Sequence, residues 1–175
     1  MSRRIIQLLI LLVIVGCAKK PPPVVTNTEY FDQKIWDVSL DLVNNSTKRV
    51  KKAAVLEFKN PDGRTSNLGR YLSTKFSTIA VRRQLYVVPS DGVVKDAMTK
   101  LNIKYNGSLD KNEAKKLGDM LNVDGLIVGT LSDLQKGSDI DIIISVIEVK
   151  SGNIISSANT SLLRSKSVSS MMQTF

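Results

Sequence analysis

The chain has 175 residues, with 25 Lys/Arg against 16 Asp/Glu, no His, one Cys and one Trp. That length and its 42% of apolar residues suit one domain with a proper core. The absence of His excludes Ser-His-Asp and Cys-His nucleophiles and imidazole-bound zinc. A single Cys excludes an internal disulfide, a thiolate metal cluster and a CxxC redox pair.

The N-terminus reads MSRRIIQLLILLVIVGC. Arg3 and Arg4 form a basic start and Ile5 to Val15 an apolar stretch broken only by Gln7, the layout of a secretory signal. It is too short to span a bilayer, which takes roughly 20 apolar residues. The end, Ile14-Val15-Gly16-Cys17, resembles the bacterial lipobox. The resemblance implies cleavage between Gly16 and Cys17, diacylglyceryl attachment to the Cys17 thiol and acylation of the new amine. Two or three chains, at about 0.8 kcal/mol per buried CH2, anchor stably where one does not. Ala18 stands where lipoproteins retained at the inner membrane commonly carry Asp, so the expected address is the periplasmic face of the outer membrane. Loss of residues 1–16 leaves 23 basic groups against 16 acidic ones, a net charge of +7. For an exported protein the matching partners are anionic headgroups, cell-wall polymer or an acidic protein rather than nucleic acid.

Residues 17–28 read as the lipidated Cys and a tether, in which Pro21-Pro22-Pro23 favours an extended form of about 3.1 Å per residue. Phe31, Ile35, Val38 and Leu42 mark a helix over Glu29–Asn45, with Trp36 beside that stripe. Val50–Phe58 reads as a strand entering the core at Ala53. The turn-rich loop Asn60–Asn67 leads to a helix to Val81 carrying Leu68, Leu72, Phe76 and Ile79. Gln84–Pro89 reads as a second strand. Ser90-Asp91 suits a cap for a helix to Leu101. A further helix starts between Ser108 and Asn112, with Ala114, Leu117, Met120 and Leu121 inward. Three strands follow, Asp124–Leu134, Asp139–Val149 and Asn153–Leu163. Turns at Lys136-Gly137-Ser138 and Ser151-Gly152-Asn153 make them an antiparallel meander. Asn122-Val123-Asp124-Gly125 supplies the turn into the first of these strands, and Gly129 leaves space for a close neighbour. The expectation is one α/β domain over 29–164, in the order α-β-α-β-α-α-β-β-β. Its mixed sheet has about five strands and helices on both faces, because LIVGTL and IDIIISVIEV are apolar at both parities. Residues 165–175 read as a loose polar tail.

The runs AVLEFKNPDGRTSNLGRYLSTKFST (54–78), YVVPS (86–90), KLGDMLNVDGLIVGTLSDL (116–134) and VIEVKSGNIISSAN (146–159) match a known family in order and spacing. They resemble the FlgO family of bacterial outer-membrane lipoproteins and, more distantly, the periplasmic domain of the curli secretion protein CsgG. Ser90-Asp91-Gly92 stands where relatives often carry an Arg, and no amphipathic hairpins of the pore-forming relatives are present. The resemblance implies a non-enzymatic accessory in the assembly or anchoring of an envelope-spanning machine, the flagellum first. It implies envelope or flagellar proteins as partners, homo-oligomers as in ring-forming relatives, and no cofactor. The alternatives are a regulator of a peptidoglycan synthase, a role in which relatives use a longer stalk, and a curli-type secretion accessory without a pore.

Several groups remain as candidate contacts. Asp62 and Arg64, with Arg70 nearby, lie in a strand-to-helix loop whose backbone N–H groups attract anions, although no GxxxxGK[ST] motif is present. Such a loop also suits a protein partner. Lys48, Arg49, Lys51 and Lys52 form a basic cluster fit for an anionic surface, each residue contributing about 1 kcal/mol at a charged membrane. Arg82-Arg83 and Lys115-Lys116 add doublets, and Tyr30 and Trp36 suit an interface. Asp139 and Asp141 alternate on one strand face beside a turn, where solvation outweighs cation binding. Asp62, Asp91 and Asp110 suit turns or caps.

Overall fold

The computed structural model describes residues 27–133 and 139–173. In chain order these form α1 (Asn27–Asn44), β1 (Ala53–Val55), α2 (Asn67–Arg82), α3 (Asp91–Lys100), α4 (Lys111–Leu121), β2 (Gly125–Ser132), β3 (Ile140–Glu148), β4 (Asn153–Leu162) and α5 (Lys166–Met171). The strands lie side by side as β1-β2-β3-β4, with β1 parallel to β2 and the other pairs antiparallel. The parallel pair is joined by the long crossover that such pairs require, here carrying α2, α3 and α4.

The described sheet has four strands rather than five. Gln84–Pro89 contributes one parallel bridge, Lys52 with Val87. The Ala53 N–H donates to the Val87 carbonyl at 3.0 Å and the Val87 N–H to the Lys51 carbonyl at 2.9 Å. That register sets Pro89 opposite Ala54, and proline has no N–H with which to extend the ladder. The regular part of β1 is also shorter than expected. Beyond Val55 the chain keeps to β2 through Leu56 N–H to Ile127 O and Lys59 N–H to Gly129 O, both 2.9 Å.

On one face of the sheet, α1 and α2 bury Phe31, Ile35, Val38, Leu42, Leu68, Leu72, Phe76 and Ile79 against Ile127, Leu131, Ile142 and Ile144. Fully burying each such side chain is worth about 1.5–3 kcal/mol. On the other face α3 and α4 set Val94, Ala97, Ala114 and Leu117 against Ala54, Leu56 and Leu126. Those two helices cover β1, β2 and only the end of β3. Asp141, Ile143, Ser157 and Asn159 are accordingly exposed, and Ile143 keeps 49% of its surface open despite the apolar run around it. Met120, expected inward, is exposed at the end of α4. The tail is not loose throughout: Ser165 caps α5 by accepting from the Val168 N–H, and Val168 enters the first core.

Local chemistry explains the helix ends. Ser66 caps α2 by accepting from the Gly69 N–H at 3.1 Å. Asp110 and Glu113 form a reciprocal capping box at α4. Asp91 lies in the first turn of α3, whereas the Ser90 hydroxyl before it makes no capping bond. Asn122 closes α4 in the left-handed conformation, and the Asp124 carboxylate then accepts the N–H groups of Lys51 and Lys52.

Gly129 is required by packing, since a Cβ there would lie 2.5 Å from the Phe58 ring. Gly129→Ala should therefore cost about 1–3 kcal/mol in urea denaturation. Gly92, within α3 and with nothing inside 4 Å of its notional Cβ, is the control: Gly92→Ala should be neutral or stabilising by up to about 1 kcal/mol.

Candidate functional site

Gly16 and Cys17 lie outside the described residues. The entry into α1 nevertheless locates the N-terminal side of the domain. Tyr30, in the first turns, accepts a hydrogen bond from the Leu163 N–H at the end of β4. Twelve residues later the Leu42 carbonyl accepts from Ser156 Oγ, near the start of β4. At 1.5 Å per residue, the 18-residue α1 carries the chain about 27 Å from one end of the sheet to the other. The basic stretch 48–52 thus lies at the end remote from residue 27.

The members of that stretch have different fates. Lys48 Nζ sits 2.7–2.9 Å from both Glu148 carboxylate oxygens, and Ser151 donates to the same carboxylate. These hydrogen bonds, the Lys48 one foremost, hold the Glu148 pKa below its ordinary 4.5. Lys48 is therefore a structural partner first. Arg49, Lys51 and Lys52 are exposed. Arg49 and Lys51 line a groove of about 390 Å³ with Val50, Val81 and the Gln84–Val88 segment. The fold thus brings two separate stretches, 48–52 and 81–88, to one end of one sheet edge. Arg83 lies over the Trp36 ring at 4.8 Å, so Trp36 supports the turn after α2. The Lys115-Lys116 doublet is exposed on α4, an element of the opposite layer.

A second groove of about 520 Å³ continues along the edge, between the Ser73, Thr74, Ser77, Thr78 and Val81 side of α2 and the Val88–Asp91 segment. Val81, shared by both grooves, is 53% exposed and Val87 in the first groove 65%, with Arg82 lining the second. The arrangement is an apolar trough with basic margins, suited to an extended acidic or amphipathic segment of a partner.

The Asn60–Asn67 loop is organised around itself. Arg64 donates from its backbone N–H and from Nε to Asp62, at 2.9 and 2.7 Å, which lowers the Asp62 pKa. With Ser66 already on the Gly69 N–H, the loop presents one internal ion pair on the surface rather than an open anion cradle. It remains exposed enough to touch a protein. Asp139 and Asp141 are exposed near the start of β3, and no group of three or more potential metal ligands occurs among the described residues. No helix among the described residues is long and apolar enough to cross a membrane.

One cluster escapes a reading by sequence alone. Glu57, two residues beyond β1, lies 3.1 Å from Lys95 and 3.6 Å from Arg70, while Lys95 also reaches Asp91 at 2.8 Å. The bonds to Asp91 and Glu57 raise the Lys95 pKa. Tyr105 lies beside them with Lys59 over its ring at 5.7 Å, and burial raises its pKa. These residues come from three elements, and only the i,i+4 pair Asp91/Lys95 leaves a trace in the sequence. The cluster clamps the start of α3 to the end of β1.

A family model described as FlgO protein matches residues 37–167, most of the described domain. The chain belongs to the FlgO family. Comparison with curated protein sequences gives no match. Among solved structures, this FlgO-family chain is similar to the C-terminal domain of LpoB from Escherichia coli, with a TM-score of 0.62 and 11% identity. That likeness covers 77% of this chain and 98% of the LpoB domain. The same domain from Salmonella enterica gives 0.60 and 8% over the same shares. The NMR structure of E. coli LpoB gives 0.63 and 9%, covering 77% of this chain and 68% of that one. At such identities the likeness is one of fold.

The Glu148 carboxylate supplies a pH test. Its folded-state pKa is depressed, so its contribution to stability is present above the unfolded value and is lost as pH falls through the folded one. Lys48→Ala should bring the Glu148 titration back toward 4.5, read by carbon-detected NMR of the side-chain carboxyl. An unchanged midpoint would show that Lys48 does not hold it.

Proposed function

We propose that this FlgO-family protein is an outer-membrane lipoprotein, anchored through acylated Cys17 and facing the periplasm. In this reading it serves without catalysis as an accessory in assembling or anchoring the flagellum. The observation that carries this is the family match over residues 37–167 behind a lipobox at Gly16-Cys17. The mechanism is tethering. Lipid on Cys17 confines the domain to the membrane surface and raises its effective concentration around a membrane-bound machine. Contact with that machine then falls to the exposed grooves and charged surface.

The arrangement of the domain favours contact with protein. The basic stretch 48–52 follows the end of α1 opposite residue 27, and its exposed cations Arg49, Lys51 and Lys52 suit an acidic partner. The accompanying apolar side chains, Val81 and Val87, supply the desolvation that an ionic contact at the surface lacks. A second reading, regulation of a peptidoglycan synthase, draws on the fold shared with 98% of the LpoB domain.

Crosslinking in cells, with mass spectrometry of the captured proteins and Cys17→Ala alongside, separates the two. The flagellar reading expects ring or rod components, captured with the native chain and lost with Cys17→Ala, together with loss of motility on soft agar. Capture of a cell-wall synthase with motility intact would overturn it in favour of the regulator. Metabolic labelling with a palmitate analogue that persists in Cys17→Ala would overturn the anchor itself.

A further inference from the structure

The two edges of the sheet are treated differently by the chain. At β1 the crossing segment 84–91 bridges to Lys52 and Ala53, and Pro89 and α3 follow. At β4 a ten-residue strand pairs, among the described residues, with β3 alone. Its outer side is tied at both ends: the Ile155 carbonyl accepts from the Thr47 N–H at 3.0 Å, and the Leu163 N–H donates to Tyr30 at 2.9 Å. These bonds identify the odd-numbered residues as those whose backbone groups turn away from β3. Between the ties, the N–H and C=O groups of Ser157, Asn159 and Ser161 have no hydrogen-bond partner among the described residues.

Open strand edges of this length are normally blunted by a charge, a proline or a covering element. Residues 154–163 read IISSANTSLL, with neither charge nor proline. Large apolar side chains stand exposed around the same edge: Ile154 and Leu163 at 63% each, and Ile143 on the neighbouring strand at 49%.

We infer that the β4 edge is an interface for a second copy of this chain, the two β4 strands pairing antiparallel about a two-fold axis through Asn159. The register is self-complementary. Asn159 faces its own symmetry mate, Ser157 faces Ser161 of the second copy, and each pair exchanges both N–H···O bonds. No like charges meet on the strands. The two α1 helices flank the new pair, since α1 lies along β4 and antiparallel to it. Tyr30, Lys34, Asp37 and Asp41 recur at spacings of four, three and four on one flank of α1, the flank that Tyr30 fixes toward the β4 edge. A two-fold axis near the middle of α1 sets the Lys34 part of one helix beside the Asp37–Asp41 part of the other. Opposite charges therefore meet across the axis, an arrangement specific to self-association.

The test uses the full chain carrying Cys17→Ala, purified in detergent, so that any introduced cysteine is the sole thiol. Facing residues in a hydrogen-bonded antiparallel pair have Cα atoms about 5.5 Å apart, inside the disulfide range of about 4.4–6.8 Å. Asn159→Cys should thus give a disulfide-linked dimer on oxidation. Ser157→Cys alone should not, its mate being displaced by roughly 13 Å along the strand. A mixture of Ser157→Cys and Ser161→Cys chains should crosslink. Asn159→Pro removes only an outward N–H, which edge strands tolerate. It should give a monomer in sedimentation with an unchanged circular dichroism spectrum. A monomeric wild type, or equal crosslinking of Asn159→Cys and Ser157→Cys, overturns the inference. So does protection of the 157, 159 and 161 amides from hydrogen exchange in a monomer, which would assign the edge to the chain's own N-terminal segment. Capture of another protein at Asn159 without self-crosslinking would overturn it as well.

Discussion

The parallel pairing of Ala53–Val55 with Gly125–Ile127 is the constraint from which the rest of the architecture follows. Two strands that run the same way cannot be joined by a tight turn, so some seventy residues must leave the sheet and return. That excursion sets α2 on one face, crosses the sheet edge through residues 84–90, and sets α3 and α4 on the other. Each step is tied locally. The Leu85 N–H donates to the Ala80 carbonyl after α2, Val87 bridges to β1, and Asp124 receives the Lys51 and Lys52 amides where the chain re-enters. The short β1 is held by the length of the crossover around it as much as by its own pairing.

The polar chemistry of the domain is mostly consumed in keeping this excursion in register. Glu57 with Lys95 and Arg70 secures α3 to β1, Lys75 with Asp32 secures α2 to α1, and Lys48 with Glu148 secures the approach to β1 against the end of β3. A partly exposed pair contributes at most about 1 kcal/mol, so these bonds select one arrangement among those that hydrophobic burial alone would permit. Arg49, Lys51 and Lys52 stay exposed at the remote end, where the proposed docking would use them. Arg49 and Lys51 line one groove with the apolar side chains of the 81–88 segment.

Much of this was legible in the sequence because local periodicity and local chemistry coincided. Phe31, Ile35, Val38 and Leu42 announce a buried helical stripe, and the turn residues of Ser151-Gly152-Asn153 announce the last hairpin. Gly129 announces a close neighbour that proves to be Phe58. The failures share a cause: each depended on where a distant element stopped. Gln84–Pro89 has strand composition, yet its pairing ends at a register position where Pro89 has no donor to offer. Ile143 belongs to an apolar run, yet α3 and α4 end before covering it. Met120 sits among good core residues at the exposed end of α4. Val168, Met171 and Met172 stand at helical spacing in a short polar tail, too brief a stretch to announce a helix that only the first core justifies. Of the predicted contacts, Asp62 and Arg64 are brought together, but on each other. The basic cluster loses Lys48 to Glu148 and gains the 81–88 segment, an exchange that residues a hundred positions apart could not announce.

The contrast between the two edges links fold to association. A crossover protects the edge it passes over as a by-product of topology, and here it protects β1. A meander offers no such protection to its last strand, so the edge of β4 must be guarded by sequence or used. Lysine or proline at an outward-facing position would have guarded it at small cost to β4 itself, because such residues are tolerated where the N–H faces away from the sheet. The chain instead has serine, asparagine and serine at those positions, with no lysine or proline among them. Under the proposed anchoring, copies held on one membrane surface would meet at high local concentration, which would favour pairing through an unguarded edge. The same division leaves the β1 edge, with its basic trough, open to a different partner. Self-pairing through β4 and docking along β1 occupy opposite sides of one sheet, and neither obstructs the other.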